Sequence, residues 1–158
     1  MAYPSVTVPY GLIPINLIGG QVFAGATRQI PIASNSATAI FYGDVVKLAN
    51  TGLLVQDTGT DAATPVGVLL GCSYTDPTYG KTFRQYYPGA VNASDIVAFV
   101  ADDPDQLFKA AVVSGTTVVT YVNRTSVGNN ALLVQNVGST ITGNSAVAAL
   151  ATTATTNT

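Results

Sequence analysis

Short runs of β-branched and aromatic residues, each cut off by Gly, Asn, Asp or Pro, do most to narrow what this chain can fold into. Two heavy atoms on Cβ restrict χ1 and suit a side chain to a pleated, half-buried strand better than to a helix. The runs predict strands at Arg28–Ala33, Ala37–Tyr42, Val45–Ala49, Leu53–Gln56, Val66–Leu70 and Lys81–Tyr87. Further strands are expected at Ile96–Ala101, Leu107–Val113, Thr116–Val122, Ala131–Val137 and Ala146–Leu150. Alternation sets Arg28, Ile30 and Ile32 on one face and Gln29, Pro31 and Ala33 on the other. Turn chemistry separates the runs at Asn50-Thr51-Gly52, Asp57-Thr58-Gly59, Ser114-Gly115 and Gly128-Asn129-Asn130. A strand about every 8 to 12 residues reads as an all-β chain, a single β-sandwich or small β-barrel with little helix. Asp103-Pro104-Asp105 has the chemistry of a helix start, but Val112-Val113 downstream favours a tight turn feeding a strand.

Composition then removes whole classes of function. Only 9% of the 158 residues are charged, against about 25% in an average soluble protein. There is no His, which removes the commonest general base and metal ligand. There is no Glu either, so long solvated helices lack their usual surface residues. A net charge of −2 argues against nucleic acid as a partner. At 47% apolar the chain is too hydrophobic for disorder. The most apolar stretch, Leu12–Ile18, is interrupted by Pro14 and Asn16 and is too short to cross a membrane as a helix. The first residues lack the basic and continuous apolar segments of a signal peptide. The single cysteine, Cys72, is expected to be a small buried apolar residue.

The ends differ from the middle, dividing the chain into an arm (1–25), a β domain (26–150) and a flexible Thr/Ala tail (151–158). The arm holds Pro4, Pro9 and Pro14, which remove ladder donors, so it is extended but makes a poor central strand. Its apolar residues Tyr10, Leu12, Ile13, Ile15, Leu17 and Ile18 nevertheless demand burial, either along another surface or as a first strand on its own domain. An internal echo is also present. Leu53-Leu54-Val55-Gln56-Asp57-Thr58-Gly59 resembles Leu132-Leu133-Val134-Gln135-Asn136-Val137-Gly138, 79 residues later, and Tyr42 and Tyr121 share that offset.

Little in the chain carries reaction chemistry. Asp57-Thr58-Gly59 looks like the signature of aspartic proteases, in which two carboxyls share a proton. Gln56 stands where an apolar residue should, and the echo places Asn136 at the equivalent position, so an ordinary turn is the better reading. Asp102-Asp103-Pro104-Asp105 lacks the spacing and Gly of a calcium loop. No phosphate loop, cysteine pair, nucleophile elbow or cofactor motif is present. The segment Lys81–Pro88 concentrates basic and aromatic residues. As a strand it would place Phe83 and Tyr87 on one face, with Arg84 and Tyr86 forming a contact stripe on the other.

Several motifs in series carry a resemblance. They are Gly11-Leu12-Ile13-Pro14-Ile15-Asn16-Leu17-Ile18-Gly19-Gly20, Phe23-Ala24-Gly25-Ala26-Thr27-Arg28 and Ala39-Ile40-Phe41-Tyr42-Gly43-Asp44-Val45-Val46-Lys47-Leu48. Val66-Gly67-Val68-Leu69-Leu70-Gly71-Cys72-Ser73-Tyr74-Thr75-Asp76, Tyr86-Tyr87-Pro88 and Asp102-Asp103-Pro104-Asp105-Gln106-Leu107-Phe108 continue it. Together they resemble structural proteins of tailed-bacteriophage heads, of the capsid cement or decoration type. The resemblance implies a non-enzymatic virion component on the outer surface of the capsid, made in the host cytoplasm. Its partners would be the major capsid protein and further copies of itself, as a homodimer or homotrimer, with neither nucleic acid nor membrane. The arm residues named above, with Arg28, Lys81, Arg84 and Tyr86, are the candidate capsid contacts. Removal of residues 1–20 is expected to leave a folded domain that no longer binds. Other virion roles (minor head, tail or fibre component) and an Asp57-dependent protease are the alternatives.

Overall fold

The computed structural model describes residues 8–59, 64–119 and 121–151. The first seven residues of the expected arm, Thr120 and residues 152–158 of the expected tail lie outside the described residues. The strands are β1 (Ile13–Leu17), β2 (Arg28–Pro31), β3 (Val45–Leu48), β4 (Leu54–Gln56), β5 (Pro65–Asp76) and β6 (Gly80–Arg84). They continue with β7 (Val97–Ala101), β8 (Gln106–Lys109), β9 (Val112–Ser114), β10 (Thr117–Val118), β11 (Leu133–Val134) and β12 (Ala148–Leu150). Among the described residues the only helical element is a 3₁₀ turn at Arg124–Ser126. The chain is all-β, with several sheets that pack in a sandwich-like arrangement and do not close into a barrel.

The six-stranded sheet runs β2-β7-β5-β3-β4, with β6 added alongside β5. β5 is its spine: β7 pairs along one side, and β3 followed by β6 along the other. Successive residues of a strand point to opposite faces, so β5 is buried on both sides. Leu69 joins Ile30, Ile40, Val46, Tyr87 and Val100 in one core. Its neighbour Val68 joins Leu12 and Val147 in a second, with Val45 and Phe108 packed against it. The second core is where the arm, the six-stranded sheet and a four-stranded sheet of order β10-β9-β12-β11 meet.

Several expected elements change in ways with local causes. Ala37–Tyr42 is not a strand; Ile40 bridges to Tyr87 and Tyr42 to Asn144, so the segment ties loops together. Leu107–Val113 divides at Ala110, where the chain leaves β1 as partner and takes up β12. The turn at Asp103 feeds β8 as expected, with the Gln106 N–H donating to the Asp103 carbonyl at 3.1 Å. The strand expected over Lys81–Tyr87 stops at Arg84. Phe83 and Tyr87 therefore do not share a face: Phe83 is exposed and stacks on Phe99, whereas Tyr87 is fully buried.

Candidate interaction surface

Ile13–Leu17, taken as too proline-rich for a central strand, forms β1 and pairs antiparallel with β8 of the same chain. Pro14 sits opposite Phe108 in this two-stranded edge ladder, where a missing donor is tolerated. The arm is fastened at its base by two glycines, Gly11 and Gly43, and a Cβ on Gly11 would lie 2.8 Å from the Ser145 Cβ and 3.0 Å from the Gly43 Cα. The Leu12 N–H donates to the Gly43 carbonyl at 3.0 Å, and the Gly43 N–H to that of Leu69 at 2.8 Å. A Cβ on Gly43 would lie 2.8 Å from the Leu12 nitrogen, and Gly43 has φ +87°. Only a residue without a side chain allows this approach at that backbone angle.

The two faces of the arm differ in environment. Leu12 is 7% exposed in the second core, so its apolar surface is already covered by its own domain. Ile13 and Leu17 are half-buried, and Tyr10 lies under the Lys109 ammonium at 5.9 Å. Ile15, Ile18 and Val22 point outward, at 45%, 63% and 76% exposure. Leu107, also exposed, lies between the β8 residues paired with Pro14 and Leu17. The return turn is closed by the Leu17 N–H donating to the Gln21 carbonyl at 2.8 Å. A cut after residue 20 would therefore take away a core leucine and a paired strand together with the exposed face of the arm.

The basic candidates are largely engaged within the chain. Arg28 Nε contacts Asp102 Oδ2 at 2.7 Å. Lys81 Nζ lies 3.0 Å from Asp95 Oδ2. Thr75 donates to the same Asp95 carboxylate from its hydroxyl at 2.7 Å and its N–H at 2.9 Å. These Thr75 hydrogen bonds, followed by that of Lys81, hold Asp95 well below the usual carboxylate range. Arg84 is exposed on β6, while Tyr86 is half-buried and stacks on Phe41 with ring centroids 5.4 Å apart. Arg84 and Tyr86 thus do not form one outward stripe.

Asp57 is buried at the end of β4, where its Oδ1 accepts the Gly59 N–H at 3.1 Å and faces Lys47 Nζ at 3.7 Å. Cys72 is buried and its thiol is pushed up to about 11 by desolvation, with Arg84 acting in the opposite sense, so it is held as the neutral thiol. Among the described residues, no three His, Cys, Asp or Glu side chains gather where a metal ion could be held. No helix among them is long and apolar enough to cross a membrane.

Asp44 went unnoticed in the sequence beyond its place in a motif. It is fully buried, and all four of its partners donate. Oδ2 accepts the Phe41 N–H at 2.8 Å and Gln56 Nε2 at 2.8 Å. Oδ1 accepts the Ser145 hydroxyl at 2.5 Å and Gln135 Nε2 at 3.1 Å. Gln56 and Gln135 are the matching glutamines of the internal echo, so the two copies grip one carboxylate from its two oxygens. The signal was available in the 79-residue offset, but the shared partner was not. The echo does not extend to the tyrosines: Tyr42 is half-buried and Tyr121 is 82% exposed.

No protein-family model matches the chain. No solved structure matches it. It is similar to the error-prone DNA polymerase of Ralstonia pickettii (strain 12J), 32% identical over 111 residues that cover 57% of this chain. The chain spans about 10% of the length of that polymerase.

Proposed function

We propose that this chain is a non-enzymatic capsid cement protein, which binds the outside of a phage head and bridges neighbouring major capsid proteins. The observation that carries the reading is the arm: a β1–β8 ladder bolted to the body through Gly11 and Gly43, with Ile15, Ile18 and Leu107 turned to solvent. Burying one such side chain fully contributes about 1.5–3 kcal/mol before the costs of association. Repetition of one seam contact by shell symmetry then stiffens the particle. The motif series that resembles head decoration proteins supports the same role, as does a surface with few charges to desolvate. Self-association as a homodimer or homotrimer belongs to this reading.

The polymerase similarity covers too small a part of that enzyme to bring nucleotidyl transfer with it. The protease alternative is weakened by the surroundings of Asp57, whose carboxylate caps its own turn and faces a lysine.

The test is binding of the purified chain to expanded empty heads. Wild type should saturate the shells in many copies per particle, whereas Ile15→Asp with Ile18→Asp should weaken binding about 100-fold. Both side chains are exposed, so the fold should survive. Unchanged binding by the double variant would remove the arm from the contact, and wild type that ignores shells would remove the cement role.

A further inference from the structure

From Thr116 to Ile141 no described residue is buried. Such a stretch ought to be polar, yet Tyr121, Val127, Val137 and Ile141 are 82%, 81%, 94% and 96% exposed. Between Ala110 and Ala151 the only charged residue is Arg124. Scattered exposed apolar residues are normal, but a concentration of them without charge has the composition of an interface core.

The sheet edges point the same way. Unpaired edges in native sheets are usually blunted by charge or proline. In the six-stranded sheet, edge β2 carries Arg28 and Pro31 and edge β6 carries Lys81 and Arg84, while the three-residue edge β4 (Leu54–Gln56) carries neither charge nor proline. The four-stranded sheet ends in β10 and β11, whose residues Thr117-Val118 and Leu133-Val134 offer no such guard.

We infer that residues 116–141 form the face on which a second copy of this chain docks. A nearly neutral face meets its own copy with almost no charge to desolvate, whereas an ionic partner surface would lose hydration against it uncompensated. The size is near what is needed: a stable interface takes about 20–30 residues a side, and 17 of the 25 described residues in this stretch are exposed. The inference deepens the self-association part of the proposed function and rests on it.

Sedimentation velocity of the full chain without shells tests it. Wild type should sediment as an oligomer at micromolar concentration. Val137→Lys with Ile141→Lys should raise the dissociation constant at least about 100-fold and leave a folded monomer by circular dichroism. Phe83→Lys, on exposed β6, should leave association unchanged. Hydrogen exchange gives a second readout that needs no variant: amides of 116–141 should slow in the oligomer relative to dilute protein. A monodisperse wild-type monomer would overturn self-association and this face together. An oligomer that survives the lysine pair, or whose 116–141 amides exchange as in the monomer, would overturn the face alone.

Discussion

Replacing Asp44 tests whether the two halves of the echo are held together by one buried carboxylate. Asp44→Val removes the acceptor for four donors while keeping a side chain of similar bulk. Gln56 and Gln135 are half-buried and can turn toward water. The Phe41 N–H and the Ser145 hydroxyl are in buried residues and lose their acceptor outright. A buried donor left unpaired costs about 1–3 kcal/mol, so two cost about 2–6 kcal/mol. Removing a buried charge returns part of its desolvation penalty, which brings the expected loss to about 3 kcal/mol. Asp44→Asn keeps one oxygen, and both the Ser145 hydroxyl and the Gln135 amide can rotate to accept from the new NH₂. It should cost about half as much. Urea denaturation with a constant m-value measures both variants. The order Val worse than Asn, with the Val variant down by at least about 2 kcal/mol, is the expected result. An Asp44→Val protein as stable as wild type would refute the reasoning, because the donors would then have other partners. Gln56→Leu and Gln135→Leu share an acceptor, so their combined cost should differ from the sum by about 0.5 kcal/mol or more.

Two further outcomes follow from the site. Gly43→Ala should lose at least about 2 kcal/mol and expose β1 to protease, because the new Cβ meets the Leu12 nitrogen at a left-handed φ; an unchanged urea midpoint would show that the arm is not fastened there. The depressed Asp95 favours the folded state above the unfolded carboxyl pKa of about 3.9, and that stability is lost as pH falls toward the folded value. Asp95→Asn should therefore flatten the fall of stability below about pH 4, and identical pH profiles for the two proteins would contradict the Thr75 and Lys81 contacts.

The strands were legible where local pattern and burial agree. Ile30 and Ile32 are buried while Gln29 and Pro31 between and beside them are exposed, as alternation requires, and Cys72 is in the core. What could not be read was set by partners far away in sequence. Periodicity carried Lys81–Tyr87 three residues past its ladder, because β6 pairs with β5 only as far as Cys72 and β3 takes over as the partner of β5 from Val68. The prolines of the arm argued against a central strand, and they say nothing of a two-stranded ladder in which Pro14 is harmless. Asp44 and Ser145 are 101 residues apart, and no local pattern announces that they meet. Arg28 and Lys81 looked like free contact residues for the same reason, since Asp102 and Asp95 reach them only after folding.

Those ion pairs change what the scarcity of charge means. Of six basic residues, Arg28, Lys47 and Lys81 face carboxylates of the same chain, and Lys109 lies over the Tyr10 ring. Arg84 and Arg124 have no carboxylate within ion-pair distance among the described residues. The pairs of Arg28 and Lys81 are largely exposed, where such contacts contribute little, so their effect is to cancel charge more than to stabilise the fold. What reaches the surface unpaired is mainly apolar: Ile15, Ile18 and Val22 on the arm, and Val127, Val137 and Ile141 beyond β10. A single apolar patch would need only one partner to cover it. Two lie on separate segments of the chain, and the proposed function would give the one beyond β10 to a second copy and the arm to a different surface. On that proposal, one small domain would reinforce a seam that neither contact could span alone.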